Sequence, residues 1–212
     1  APANAVTEAA QTTDGSVVGQ STGLSDSSRG LQSGQAAAGA PSGAAVADLP
    51  FKASDAIGVL MAYSAKVRID QIGSNDTTDT LTNGVSSRRN QLLMDISSEL
   101  GVASVDGAAE ATLDKLAQIV NKAAPNYKPF GAVLSEALRD RLRSLFGAAG
   151  VKQQYIRDRV TNVWQLGEGW VASVLATLLL DTREGASSRG GDLAKLPTAA
   201  VQNKPEADKL ID

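Results

Sequence analysis

The run Thr80-Leu81-Thr82-Asn83-Gly84-Val85-Ser86-Ser87-Arg88-Arg89-Asn90-Gln91-Leu92-Leu93 places a hydroxyl between a turn signal and a helical pattern. Asn-Gly is a strong turn dipeptide. Leu92, Leu93, Ile96 and Leu100 then recur on one side of a helix, and Gly101 is a natural stop. Ser86 thereby falls in the N-cap region, exposed and beside backbone N–H groups that no preceding carbonyl satisfies. Such a position favours a bound anion. Arg88 and Arg89 in the first turn oppose the helix dipole, so they point to an attracted phosphate or acidic partner more than to helix stability. A serine phosphodiester satisfies all of these features: a modifying enzyme reaches the hydroxyl from outside, and the phosphate then sits beside positive charge. The same residues also read as ordinary punctuation, with Ser86 a capping serine and nothing more.

Other chemistry is sharply restricted. The 212 residues contain no cysteine and no histidine, which removes disulfides, thiolate nucleophiles, imidazole bases and the usual zinc ligands together. No Ser-His-Asp or Cys-His hydrolase can be built from this chain. We assign no catalytic residue and no metal ligand. Asp95 and Glu99 share a helix face at spacing four, but on one exposed helix they read as solvated or partner-contacting carboxylates. Arg139, Arg141, Arg143, Arg157 and Arg159 read as a solvated face with ion pairs to Glu136, Asp140 and Asp158. Trp164 and Trp170 read as core residues. A net charge of −3 argues against nucleic acid as a partner. The longest apolar run, Trp170 to Leu180, falls short of a membrane span.

The elements that must hold Ser86 follow from the periodicity. Residues 1–48 are mostly Ala, Gly, Ser, Thr, Gln and Pro with Arg29 as their one basic residue, a composition that reads as a flexible linker. From Leu49-Pro50-Phe51 onward the 42% apolar content is concentrated enough to form a core. Helices are expected over about 51–66, from Ser86 to Leu100, and over 108–122, with a pinned polar loop from Arg68 to Val85 anchored by Ile69, Ile72 and Leu81. Pro125 to Pro129 interrupts the pattern, and three further amphipathic stretches follow at 130–146, 151–164 and 167–181. No convincing period-two strand is present, so the expected fold class is all-α. Residues 183–212, rich again in Gly, Ser, Lys and Pro, read as a second linker. The chain opens without Met and without a charged n-region before an apolar stretch, so no secretory signal is expected and the sequence reads as a piece of a longer one.

The run from Asn83 to Gln91, with Leu92-Leu93, Asp95 and Ser98-Glu99-Leu100-Gly101, resembles the carrier-domain motif of type I fatty acid synthases, fungal and actinobacterial. Discrete carrier proteins have Asp-Ser-Leu where Val85-Ser86-Ser87 stands here, which fits the megasynthase type instead. Tyr127-Lys128-Pro129-Phe130-Gly131, Trp164-Gln165-Leu166-Gly167 and Thr182-Arg183-Glu184-Gly185 are similar to segments of the actinobacterial multienzymes, so the resemblance covers 49–190. It implies a four-helix acyl-carrier bundle at 49–124 joined to an additional helical subdomain at 125–182, flanked by flexible linkers. It also implies 4′-phosphopantetheine on Ser86, placed there from coenzyme A by a phosphopantetheinyl transferase, with Arg88 and Arg89 as phosphate or partner contacts. The implied partners are acyl chains and the ketosynthase, ketoreductase, dehydratase, enoyl reductase and acyl/malonyl transferase domains of the same synthase, in the cytoplasm. Acyl chains would then ride on a domain without its own catalysis.

Two other readings of the residues compete with the carrier: a helical protein-interaction adaptor with disordered tails, and a small helical enzyme using carboxylates. Two serine runs imitate the site. Leu24-Ser25-Asp26-Ser27-Ser28-Arg29 lies in low-complexity sequence, and Gly185-Ala186-Ser187-Ser188-Arg189 nearly repeats Gly84 to Arg88 but leads into Gly190-Gly191. Neither precedes an amphipathic helix, so neither serine is expected to be held rigidly.

Overall fold

The computed structural model describes residues 45–212, so the 1–48 linker expectation lies outside the described residues except for its last four. The first helix, α1 (Ala53–Ala65), is buried almost all the way round, because Ala53, Ala56, Ile57, Val59, Leu60, Met61 and Ala62 leave little of its circumference polar. That composition makes it the central post: α3, α4, α5 and α7 all pack on it. The backbone then runs through a 3₁₀ turn at Ile69–Gln71 into the single-turn α2 (Thr78–Leu81), which Thr77 caps by accepting the Thr80 N–H at 3.2 Å. Buried Leu81 and a Thr78 hydroxyl that donates to the Ala109 carbonyl (3.1 Å) pin the loop expected over 68–85, whereas Ile69 is an exposed residue and no anchor.

Helix α3 (Ser86–Leu100) buries Leu92 and Ile96 and stops at Gly101 in the left-handed conformation, φ 67°. Helix α4 (Leu113–Ala123) is shorter than the 108–122 expectation. Gly107 turns the chain at φ 78°, Ala108 and Ala111 bury without helix, and the Leu113 N–H is spent on the Asp76 carbonyl (2.7 Å). Beyond the Pro125–Pro129 break, α5 (Ala132–Phe146) packs Leu134, Leu138, Leu142, Leu145 and Phe146 inward, against α1, α3 and the buried helix α7 (Glu168–Asp181). Between them α6 (Gln153–Asp158) widens into a π-turn at Arg159–Val163. That turn swings Trp164 outward, 51% exposed, so it is not the core residue expected. Its indole N–H donates to Asp212 (2.9 Å), while Trp170 is half-buried and donates to the Ala47 carbonyl (3.0 Å).

Residues 183–212 correct the linker expectation. Arg183 donates to the Ala62, Val67 and Leu180 carbonyls (3.1, 2.8 and 2.9 Å), tying the end of α1 and the residues just after it to the end of α7. Ser188 adds its N–H to the Lys66 carbonyl and its hydroxyl to the Ala65 carbonyl, both at 2.9 Å. The chain ends in α8 (Lys204–Ile211), capped by Asn203 and fixed by buried Ala207 and Ile211. Polar docking of this kind is invisible to a composition reading. Among the described residues the architecture is all-helical, with a lone Ala186–Asp192 bridge and no helix long and apolar enough to cross a membrane.

Candidate functional site

Two consecutive left-handed residues, Asn83 (φ 54°) and Gly84 (φ 70°), reverse the chain after α2. The Gly84 N–H closes the turn on the Asp79 carbonyl at 2.9 Å, and the Val85 N–H donates to the Thr82 carbonyl at 3.1 Å. Val85 is the N-cap in extended conformation and supplies no capping side chain, so Ser86 is the first helical residue, one position inside the cap. The first backbone bond of α3 runs from Arg89 N–H to Val85 carbonyl, which leaves the N–H groups of Ser86, Ser87 and Arg88 open at the mouth. Ser86 is exposed, and no side chain among the described residues engages its hydroxyl. The arrangement is an accessible nucleophilic oxygen at the positive end of a 15-residue helix.

The two arginines have different duties. Arg89 pairs with Asp79 at 2.9 Å and so ties α3 to α2 across the turn. Arg88 forms no ion pair among the described residues and rims a groove of about 400 Å³ between the end of α1, the start of α3 and the 183–190 loop. Of the two arginines, Arg88 alone is left without an ion pair among the described residues.

At its other end α3 is fixed by Glu99, 2% exposed and far from the solvated carboxylate expected. Its carboxylate accepts the Tyr127 hydroxyl (2.7 Å) and the N–H groups of Gly131 (2.6 Å) and Leu134 (2.8 Å). Gly131 is the N-cap of α5 and has no side chain to cap with, so Glu99 performs the capping from another helix. A Cβ on Gly131 would collide with the Glu99 carbonyl, so only glycine permits this approach. Burial, with the Glu99 charge adding to it, raises the Tyr127 phenol far above its usual range and keeps it a donor. Asp95, one turn back, instead accepts from Gln91 at 2.8 Å.

The profile for the fatty acid synthase subunit alpha acyl carrier domain matches residues 47–189. This chain belongs to that family. Among individual relatives, it is 30% identical over 149 residues to the fatty acid synthase subunit alpha of Schizosaccharomyces pombe, covering 70% of this chain and 8% of that protein. It is 30% identical over 152 residues to the subunit alpha of Lachancea kluyveri, covering 69% of this chain and 8% of that protein. The chain thus spans a small fraction of the length of the relatives it matches.

In this acyl carrier domain the five arginines of α5, α6 and the π-turn do not form one basic face. Arg139 and Arg143 sit at 3.8–3.9 Å from Glu136 and Asp140, as expected of solvated pairs. Arg141 turns inward to the hydroxyl and carbonyl of Thr182. Arg157 pairs with Glu168 (2.7 Å), and Arg159 grips Asp212 (2.6 Å) and Asp208 (3.3 Å) on α8. The Gly185–Arg189 decoy, expected to be loose, is held firmly: Ser187 is buried, and Arg189 makes a two-point pair with Asp76 at 2.7 and 2.9 Å. The decoy at 24–29 lies outside the described residues.

Proposed function

We propose that Ser86 is the attachment point for 4′-phosphopantetheine and that the domain carries growing acyl chains between the catalytic domains of a type I fatty acid synthase. The observation that carries the reading is the exposed Ser86 hydroxyl at an uncapped helix mouth beside unpaired Arg88, in a chain of the carrier family. In the loading step a phosphopantetheinyl transferase positions coenzyme A with Mg²⁺. The Ser86 oxygen attacks the pantetheine phosphorus, the pyrophosphate bond breaks, adenosine 3′,5′-bisphosphate leaves, and the serine proton passes to the transferase. Open N–H groups and Arg88 favour the negative charge gathered there. The attached arm supplies the thiol that this cysteine-free chain lacks, and acyl groups travel on it as thioesters.

The chain's own contribution is a rigid platform. We read 49–124 as the carrier part and 125–182 as an additional subdomain, joined to it through Glu99 and the α5 mouth. Ketosynthase, ketoreductase, dehydratase, enoyl reductase and acyl/malonyl transferase domains are the partners, in the cytoplasm. Residues 1–48 fit a tether that raises local concentration and lets each contact stay weak. The segments at 127–131, 164–167 and 182–185 support a parent of the actinobacterial kind. The domain itself catalyses nothing in this reading. Intact-mass measurement after incubation with coenzyme A and a broad-specificity transferase tests it. A single phosphopantetheine increment, absent from Ser86→Ala, is expected; an increment that survives the substitution, or none on the parent chain, overturns it.

A further inference from the structure

Asp79 holds both flanks of Ser86. Its backbone carbonyl accepts the Gly84 N–H at 2.9 Å, two residues before the serine, and its carboxylate takes the Arg89 guanidinium at 2.9 Å, three residues after it. Residues 79–89 are thereby closed into a ring through one residue, with Ser86 on the arc between the two grips. The grips start from a fixed point. Thr78 is fully buried and donates to the Ala109 carbonyl at 3.1 Å, Leu81 is buried, and Thr77 caps the turn, so α2 sits on the core although it is a single turn long. The arc itself has little else to hold it. Asn83 and Gly84 are left-handed and exposed, Val85 offers no capping side chain, and Ser86 and Ser87 are exposed. The Val85 N–H on the Thr82 carbonyl (3.1 Å) reaches back to the end of the same short helix. The first buried residue of α3 is Leu92, so packing fixes the body of the helix and not its first turn. An Asp79–Arg89 pair this exposed, 49% and 35%, contributes little to stability. Its effect is geometric.

We propose that Asp79 is a positioning residue for the loading of Ser86: through Arg89 it keeps the first turn of α3 from fraying and so holds the serine oxygen where a transferase can bring phosphorus to it. The proposal rests on Ser86 being the attachment point. It goes further by assigning Arg89 to the chain's own turn and not to a phosphate or a partner. In the loading step the Ser86 oxygen attacks the pantetheine phosphorus and adenosine 3′,5′-bisphosphate leaves; neither Asp79 nor Arg89 touches the reacting atoms. A frayed turn takes the oxygen out of line, and a misplacement of about 1 Å is enough to slow such an attack strongly.

Single-turnover loading of the 1–212 chain with coenzyme A and a broad-specificity transferase in excess tests it. Asp79→Ala and Arg89→Ala should each lower the limiting rate about tenfold. The half-saturating transferase concentration should stay near that of the parent, because binding is not what the pair supplies. The double variant should be no slower than either single one, since the two side chains act as a unit. Asp79→Asn keeps an acceptor for the guanidinium and should retain most of the parent rate. Urea midpoints should stay close to the parent in all four. Amide exchange in Arg89→Ala should quicken about tenfold at Gly84 and not at Leu92 or Ile96. Losses that add in the double variant, or a half-saturating concentration that rises in Arg89→Ala with the limiting rate intact, would place Arg89 on the partner and overturn the clamp. Either result leaves the mass increment, and so the Ser86 reading, standing. No mass increment on the parent chain overturns the Ser86 reading and the clamp with it.

Discussion

Gly84-Val85-Ser86-Ser87-Arg88 and Gly185-Ala186-Ser187-Ser188-Arg189 are nearly the same five residues, and the molecule uses them in opposite ways. Both begin with a left-handed glycine, φ 70° and 97°, so the entry turn is shared. Beyond that turn the two segments part. After Val85 the chain enters a helix whose inward face, Leu92 and Ile96, gives it something to pack, so the serine is left at the mouth with its oxygen free. After Ala186 no apolar periodicity follows; Gly190 and Gly191 take positive φ, the loop closes through the Ser187 N–H on the Gly191 carbonyl (2.6 Å), and both serines spend their hydroxyls on acceptors of the fold itself, Gln71 and the Ala65 carbonyl. Even the arginines diverge, Arg88 unpaired and Arg189 locked on Asp76. A short motif therefore specifies a turn, and the residues after it decide whether the hydroxyl is presented or consumed.

The largest effect that can break this contrast is all-or-none. Ser86→Ala should abolish the phosphopantetheine mass increment, whereas Ser187→Ala and Ser188→Ala should leave full loading. Loss of loading in either 187 or 188 variant with a folded chain, read by circular dichroism, would reverse the assignment of roles. Next in size is the far end of α3. Glu99→Ala strands the N–H groups of Gly131 and Leu134 and the Tyr127 hydroxyl, and should lower unfolding free energy by about 3 kcal/mol in urea titration. Glu99→Gln keeps an acceptor and should cost about half as much. Equal losses would mean that a neutral acceptor recovers nothing and that the charge at the α5 mouth carries the whole effect, whereas no loss in Glu99→Gln would mean that the charge contributes nothing.

Ser86 was legible because its signals are local: a turn dipeptide, a hydroxyl and a periodic helix within eighteen or so residues. Helices α1, α3, α5 and α7 were legible for the same reason, each burying a stripe or more of apolar residues. Glu99 was not, since its partners lie 28 to 35 residues away and its spacing with Asp95 imitates a solvated pair. The docking of 183–212 was hidden for a related reason. Its anchors are Arg183, Ser188 and Arg189 on carbonyls and a carboxylate, and polar residues on helix ends leave no period in the sequence. Trp164 departs from the core because a π-turn shifts the helical phase just before it.

The docked loop carries its own pH signature. Arg189 holds the Asp76 carboxyl down to about 2, with the Gly73 N–H and the Thr80 hydroxyl assisting. A depressed carboxyl stabilises the fold above its unfolded value of roughly 3.9, and that stabilisation is lost as pH falls through about 2. With Arg189 32% exposed the contribution is screened, and about 1.5 kcal/mol is expected. Chemical denaturation of Arg189→Ala should show that loss at pH 7 and a shallower fall between pH 4 and 2 than the parent. A parallel fall in both would show that Asp76 is not held by this pair. Loading at Ser86 should persist in the variant, because the loop consumes its own serines and does not build the helix mouth.

The smallest expected effect tests the feature the two motifs share. Gly84→Ala and Gly185→Ala each force a Cβ into the left-handed region, and at both positions that Cβ meets nothing within 4 Å, so backbone strain alone should operate. Each should cost about 1 kcal/mol by thermal or urea unfolding. The readouts should then part. Strain at Gly84, whose N–H closes on the Asp79 carbonyl, falls on the turn that aims Ser86, so the transferase rate should slow along with stability. Strain at Gly185 falls on a loop with no loaded serine, so stability should drop with the rate unchanged. If both variants slow loading equally, the turn is not what presents the hydroxyl, and the difference between the two motifs must lie in Val85 and Ala186 instead.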